Sequence, residues 1–333
     1  MAFKQRTRLV GVVCLVIAVQ AAGASAIEVS LRPNKDRYIC GEPILLRTTV
    51  SNLSKEPFVA GRAFAWGSGF TFYVGTKDFE LAPIDSVPAK QALEISTPPR
   101  QWELFEDRHW IPNQLGPGES AMRLDILIVP RPGPYRLKAC LQDKAGNTYM
   151  SSPIEFEVEA LTKTNDSISK LGGQDFAVNL GSCIFYAHHV QRIWGGYPPG
   201  ESLSPEEFGA AFSKILTECR DSVFVEYVRY ADIMGCGRGS FYRLRFDPDR
   251  AELAEQFIKE YPRSWLLPDL YRFLFFTYVE AKDYRKAAAL RGKAVDAAPW
   301  ATVLASVRQY QLPSNLERLS GGASLSPDPE AKP

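Results

Sequence analysis

LYRFLFFTYVEAKDYRKAAALRGKAVDAAP, residues 270–299, decides how the second half of this chain folds. Tyr271, Leu274 and Tyr278 stand three and four residues apart, a spacing that puts them on one helical face. Ala287 and Ala294 recur seven apart on a following helix, where small side chains let two helix axes come close. Pro299 ends the run. From Leu270 to Val279 only Arg272 and Thr277 interrupt the apolar residues, so the first of these helices is hydrophobic nearly all round. Such a helix has to be covered on every side. It therefore needs neighbours, supplied by helices from residues 168–234 or by the first half of the chain.

Upstream, the periodicity from residue 161 onward is helical. Ile168 to His189 has the spacing of one or two helices, with Phe176, Val178, Cys183 and Phe185 as buried candidates. Trp194-Gly195-Gly196-Tyr197-Pro198-Pro199-Gly200 is a stiff aromatic loop. Ser204-Pro205-Glu206-Glu207 restarts a helix by combining a Ser cap, a Pro at the first helical position and a Glu three residues after the cap. Asp221 to Met234 is a further amphipathic helix, stopped by Gly235-Cys236-Gly237. Residues 313–333, rich in Ser, Gly and Pro, read as a disordered tail.

The resulting hairpin resembles a tetratricopeptide repeat, a helical pair of about 34 residues with a Leu, a Tyr, two spaced Ala and a closing Pro. Tyr271, Leu274, Tyr278, Ala287, Ala294 and Pro299 carry the likeness, with Asp283-Tyr284 at the turn. Phe275 stands where that family prefers Gly and Arg291 where it prefers an aromatic or aliphatic residue. Leu253-Ala254, Phe257-Ile258 and Tyr261-Pro262 look like the second helix of a degenerate earlier repeat. The resemblance implies an all-α domain of helical hairpins over residues 161–312, built to bind something else.

Residues 27–160 follow the other periodicity. Short alternating strands are punctuated by Pro, Gly and Asn: Ile44 to Leu53, Phe70 to Val74, Met122 to Val129, Tyr135 to Cys140 and Pro153 to Val158. This pattern predicts an antiparallel β-sandwich. Gly41-Glu42-Pro43-Ile44 before the first of these strands, and Gly133-Pro134-Tyr135-Arg136-Leu137 late in the segment, are similar to immunoglobulin-like domains of exported bacterial proteins. That resemblance implies that Tyr135 is a corner residue whose hydroxyl bonds back to the backbone. The whole is thus a multidomain β + α chain, with an N-terminal immunoglobulin-like sandwich and a C-terminal tetratricopeptide-like domain. A long insertion, residues 83–120, departs from a minimal sandwich.

The N-terminus sets the compartment. Lys4, Arg6 and Arg8 precede the apolar run Leu9 to Val19, and Ala24-Ser25-Ala26 is a small-x-small cleavage site, so residues 1–26 read as a secretory signal peptide. The apolar core is short of the ~20 residues that span a bilayer, and no later run reaches that length. The protein is expected to be exported, to a periplasm or the extracellular space. The chain's formal charge is +1, and removing three cations and no acid takes it to −2, which gives no footprint for nucleic acid. Export leaves Cys40, Cys140, Cys183, Cys219 and Cys236 where disulfides persist. The odd number leaves at least one free or paired between chains. Cys40 and Cys140 are candidates for a bridge in the first domain, and small buried thiols are the equally open alternative.

Binding candidates are the large amphipathic rings: Trp102, Phe105, His109 and Trp110 at the centre of the insertion, and Trp194 and Tyr197 in the second domain. Packing of the insertion's rings as a lid on the sandwich is the plainer reading of the first group. No phosphate loop, nucleophile elbow or His-Glu-x-x-His motif is present. Adjacent His188 and His189 point about 100° apart on a helix, a poor arrangement for one metal, and no catalytic residue, metal or cofactor is expected. The sequence supports a non-enzymatic binding or scaffold protein that engages another protein or an envelope component. Two alternatives stay open: a cell-envelope hydrolase with an inter-domain site using Asp, Glu or Cys183, and a carbohydrate-binding module using the aromatic loop 102–110.

Overall fold

A computed structural model describes residues 26–59, 70–77, 80–84, 86, 89, 114–190, 205–235, 248–297 and 304–312. Over these residues the protein is a mixed β plus α structure, with antiparallel sheets followed by seven helices. The strands are β1 (Ile27–Pro33), β2 (Arg37–Ile39), β3 (Ile44–Asn52), β4 (Phe70–Thr76), β5 (Ala82–Pro83), β6 (Ser120–Leu127), β7 (Gly133–Gln142), β8 (Thr148–Met150) and β9 (Ile154–Glu159). The helices are α1 (Ser169–Val190), α2 (Pro205–Glu218), α3 (Phe224–Ile233), α4 (Pro248–Glu260), α5 (Leu267–Glu280), α6 (Tyr284–Ala297) and α7 (Ala305–Gln309).

Strands β1, β3 and β6 form one sheet in the order β1-β3-β6. The larger sheet runs β2-β9-β7-β4-β5, with β8 also on β7. Val29, Leu31, Leu46 and Val50 of the first sheet share a core with Phe70, Phe72, Leu137, Leu141 and Phe156 of the second, so the two sheets lie face to face. The chain crosses between them early. β1 pairs antiparallel with β3, whereas β2, three residues later, pairs in parallel with β9, Tyr38 opposite Val158. Tyr135 turns its hydroxyl back to the Arg131 carbonyl at 3.0 Å, the geometry its position at the start of β7 suggests. Asn52 closes β3. Its fully buried amide donates to the carbonyls of Glu56, Leu115 and Gly116, which fixes the point where the long insertion returns to the sheet.

Strands β3 and β6 bury both faces near one end. Ile44 and Leu46 point between the sheets, while Leu45, Ile126 and Ile128 belong to a second apolar cluster that continues through Ala177, Leu180 and Ile184 of α1 and on into the other helices. The three-stranded sheet is therefore the middle layer of the molecule. Its outer face is the floor on which α1 sits. The turn between β2 and β3 meets α1 backbone to backbone: a Cβ on Gly41 would come within 2.5 Å of the Ala177 carbonyl carbon. Gln174 Nε2 adds a bond to the Pro130 carbonyl at 3.1 Å. α1 itself is broken near its start, where Gly173 takes φ 71°.

Helix α5 is covered as its composition demands. Leu267, Leu270, Tyr271, Phe273, Leu274, Phe275, Thr277 and Tyr278 are all buried. α4 and α6 flank it, and Ala287 and Ala294 of α6 are fully buried where the two helices meet. Lys282 at φ 60° makes the reversal between α5 and α6, and the Asp283 carboxylate caps α6 by accepting from Lys286 N at 3.1 Å. The remaining side is closed by the short α7 and the residue after it. Tyr310 packs edge-on against Phe275 and Phe276, and Arg291 reaches its carbonyl at 3.3 Å. The two residues that depart from the repeat pattern, Phe275 and Arg291, thus both serve to hold this closing segment.

Among the described residues Cys40, Cys140, Cys183 and Cys219 are buried, and Cys40 and Cys140 are free thiols, so the bridge considered between these two is not formed. Burial pushes the Cys40 thiol up to about 11, and the site is that of a small core side chain. No helix among the described residues is long and apolar enough to cross a membrane.

Candidate functional site

The aromatic candidates Trp102, Phe105, His109, Trp110, Trp194 and Tyr197 lie outside the described residues, as do residues 1–25, residues 313–333 and Cys236. What is placed is the frame of the insertion. Ile84 and Ala89 at its start and Leu115 at its end are buried in the core between the sheets, and Phe58 bridges to Leu115.

Two polar arrangements stand out on the described surface and seam. The first lies where the sheets meet the helices. Asn34 Oδ1 accepts from Tyr38 OH at 2.8 Å and from Leu45 N at 3.1 Å, and its amide donates to Tyr227 OH on α3 at 3.3 Å. Glu42, only 1% exposed, pairs with Lys35 through one oxygen and accepts from Ile39 N at 3.1 Å through the other. Burial raises its carboxyl above the usual carboxylate range, with Lys35 acting in the opposite direction. Burial also holds the Tyr227 phenol well above its ordinary value. This is a buried carboxylate between the two units, the feature that an inter-domain acid-base site requires. Both its oxygens are engaged by groups of the β unit itself, and the bond from this network to α3 is the one from Asn34, between β1 and β2, to Tyr227.

The second is a cleft of about 210 Å³ among α2, α3 and α4. Phe212, Leu216, Ile233, Leu253 and Phe257 line it with apolar surface, and Arg229, Asp232 and Gln256 supply polar groups. Arg229 pairs with Glu260, whose other oxygen accepts from Gln256 Nε2 at 2.7 Å, so α3 and α4 are tied together beside the opening. Cavities that enclose a whole small molecule run from about 300 to 1,000 Å³. This one is the size of a single large side chain. Among the described residues no group of three or more His, Cys, Asp or Glu side chains is placed to hold a metal ion. Cys183 is buried in the helical core, and the side chains of His188 and His189 lie outside the described residues.

The cleft draws on three successive helices, with lining residues spread from Phe212 to Phe257, so no local motif announces it. The seam was more accessible. Ile44-Leu45-Leu46 and Ile126-Leu127-Ile128 break the period-two alternation with consecutive apolar residues, the mark of a strand covered on both faces.

No family model and no curated protein matches this chain. Solved structures share a low-level likeness. The CARDB domain of a Pyrococcus furiosus protein is 13% identical, with 40% of this chain and 94% of that one covered at a TM-score of 0.22. A sporulation control protein of Bacillus subtilis is 16% identical over 48% of this chain and 55% of its own, at 0.24.

Proposed function

We propose that this chain is an exported, non-enzymatic binding or scaffold protein that engages another protein of the cell envelope. In this reading the two facing sheets are an immunoglobulin-like β-sandwich, and the helical hairpins are a tetratricopeptide-like domain. The periplasm or extracellular space follows from the signal-peptide reading of residues 1–26. The observation that carries the proposal is the cleft of about 210 Å³ among α2, α3 and α4, with an apolar floor and Arg229, Asp232 and Gln256 beside it. A floor of this size receives one apolar anchor side chain from a protein partner, and the polar groups bond to the partner's backbone around it. The continuous core between the outer sheet face and α1 supports a scaffold of fixed shape.

The test is retention of partners from envelope extract by the immobilised mature protein, alongside a Leu253→Glu variant. Leu253 is partly exposed at the cleft. A protein held by the wild type and lost from the variant supports the proposal. Equal retention by both removes the cleft from it, and retention of nothing overturns it.

A further inference from the structure

Arg32 of β1 and Arg47 of β3 are direct partners in the antiparallel register, so both side chains rise from the outer face of the three-stranded sheet. Like charges set opposite each other destabilise a ladder, and such a pair normally has an acid beside it. Here the same face of β1 continues to Ser30 and reaches its first carboxylate at Glu28, four residues and about 13 Å along the strand. On the other side, Arg47 faces Leu124 of β6. Neither guanidinium has a hydrogen-bonded or ion-paired partner among the described residues, and Arg47 Nε is buried without one.

The helical unit adds a flat wall. Trp265, in the loop between α4 and α5, lies under the Arg47 guanidinium with 4.1 Å from its carbon to the ring centroid. Stacking occupies the face of a guanidinium and leaves its in-plane N–H donors unspent. Glu226 reaches the same loop but accepts from Ser264 Oγ at 2.5 Å. Arg263, exposed two residues before Trp265, adds positive charge to that loop.

We propose that Arg32 and Arg47, with Trp265 fixing the second of them, form a binding site for a tetrahedral oxyanion of the phosphate or sulfate type, at the seam between sheet and helices. Two guanidinium forks facing one another offer paired donors to the oxygens of one such group. Bound anion would relieve both the mutual repulsion and the unmet donors. The Arg47 guanidinium is held below its ordinary value by burial and by the Arg32 charge, and the charge of a bound anion acts in the opposite direction. The site is independent of the cleft among α2, α3 and α4. It accepts the oxyanion free in solution or as a lipid phosphodiester.

The test is calorimetric and thermal-shift titration of the full chain with inorganic phosphate at constant ionic strength, with chloride as control. Arg32→Gln changes an exposed residue and leaves the fold intact by circular dichroism. Arg37→Gln serves as the control, since Arg37 is also an exposed arginine and pairs with Glu159 on the other sheet. Phosphate binding is expected to weaken about tenfold or more in Arg32→Gln, the loss of one charged fork, and to be unchanged in Arg37→Gln. Arg47→Lys, which keeps charge without the fork, is expected to weaken binding as well. Retention on phosphatidylglycerol vesicles, lost in Arg32→Gln, identifies a lipid source, and phosphate binding without such retention identifies a soluble one; both uphold the site. A response to phosphate no greater than to chloride, or equal binding by wild type and Arg32→Gln, overturns it.

Discussion

Gly41 and Gly181 touch through their backbones: a Cβ placed on Gly181 would overlap the Gly41 carbonyl oxygen. Gly41 is the pivot of the turn between β2 and β3, with φ at 83°, and Gly181 lies on the face of α1 that rests on that turn. The contact sets how closely the helical unit sits on the sheet. Because the atom in the way is backbone, no rotamer change relieves it.

Gly181→Ala is therefore expected to cost ~3 kcal/mol or more, at the upper end of overpacking substitutions. Urea unfolding checks it. Gly173→Ala makes the comparison informative, because a Cβ there meets nothing within 4 Å and the cost comes only from φ 71°. A Gly181→Ala midpoint equal to that of the wild type would remove the close approach as a constraint.

Arg47 and Trp265 are expected to couple across the seam. A double-mutant cycle with Arg47→Gln and Trp265→Leu should return an interaction energy of about 1–2 kcal/mol, the range of a partly desolvated cation–π pair. Additive effects would mean that the stack contributes nothing to joining the two units.

Asn52 holds three carbonyls with one amide. Asn52→Ala removes one donor from each of three carbonyls, which keep the bonds they accept from Ser54 Oγ, Phe58 N and Glu119 N, so a loss of about 1–2 kcal/mol is expected. Limited proteolysis should then cut sooner in residues 83–120, whose return point is released. Asn52→Asp, which replaces the donor with an acceptor facing carbonyls, should be worse than Ala.

Stability is expected to fall on the alkaline side. The folded Cys40 thiol titrates at about 11 against an ordinary value of 9.0, so the folded state holds this proton more tightly than the unfolded chain. That contribution is fully present below pH 9 and is lost as pH rises toward 11. Tyr135, raised by burial to about 12 from 10.0, extends the loss above pH 10. Cys40→Ala should lower stability at every pH through lost packing, yet flatten the decline between pH 9 and 11. An unchanged slope would mean that Cys40 does not titrate as a buried thiol.

The regular elements were legible because each carries its own period. Alternation from Ile44 to Asn52 and from Tyr135 to Cys140 marks β3 and β7, and the apolar run from Leu270 to Val279 requires the enclosure that α5 has. What closes α5 was not legible. Tyr310 lies in a short segment after α7 with no amphipathic period to advertise it, and its partners are set only by folding. β2 escaped for a related reason: three residues, Arg37–Ile39, are too few to show a period, and their partner strand comes at the far end of the unit. Composition selected Trp102, Phe105, His109, Trp110, Trp194 and Tyr197 as recognition residues, whereas the Arg32 and Arg47 pair emerges only from strand register, which no local spacing encodes.

The parallel pairing of β2 with β9 has a kinetic side. Arg37 and Glu159, neighbours across that ladder, are 122 residues apart in sequence. Closing so long a loop is slow, whereas α5 and α6 are joined by three residues and make local contacts. The helical hairpin can thus form early, while the segment from Arg37 to Ile39 stays unpaired until almost the whole β unit has been made. Until then the β9 edge is exposed to other strands, and this is the stage of folding at which a chaperone would most reduce aggregation.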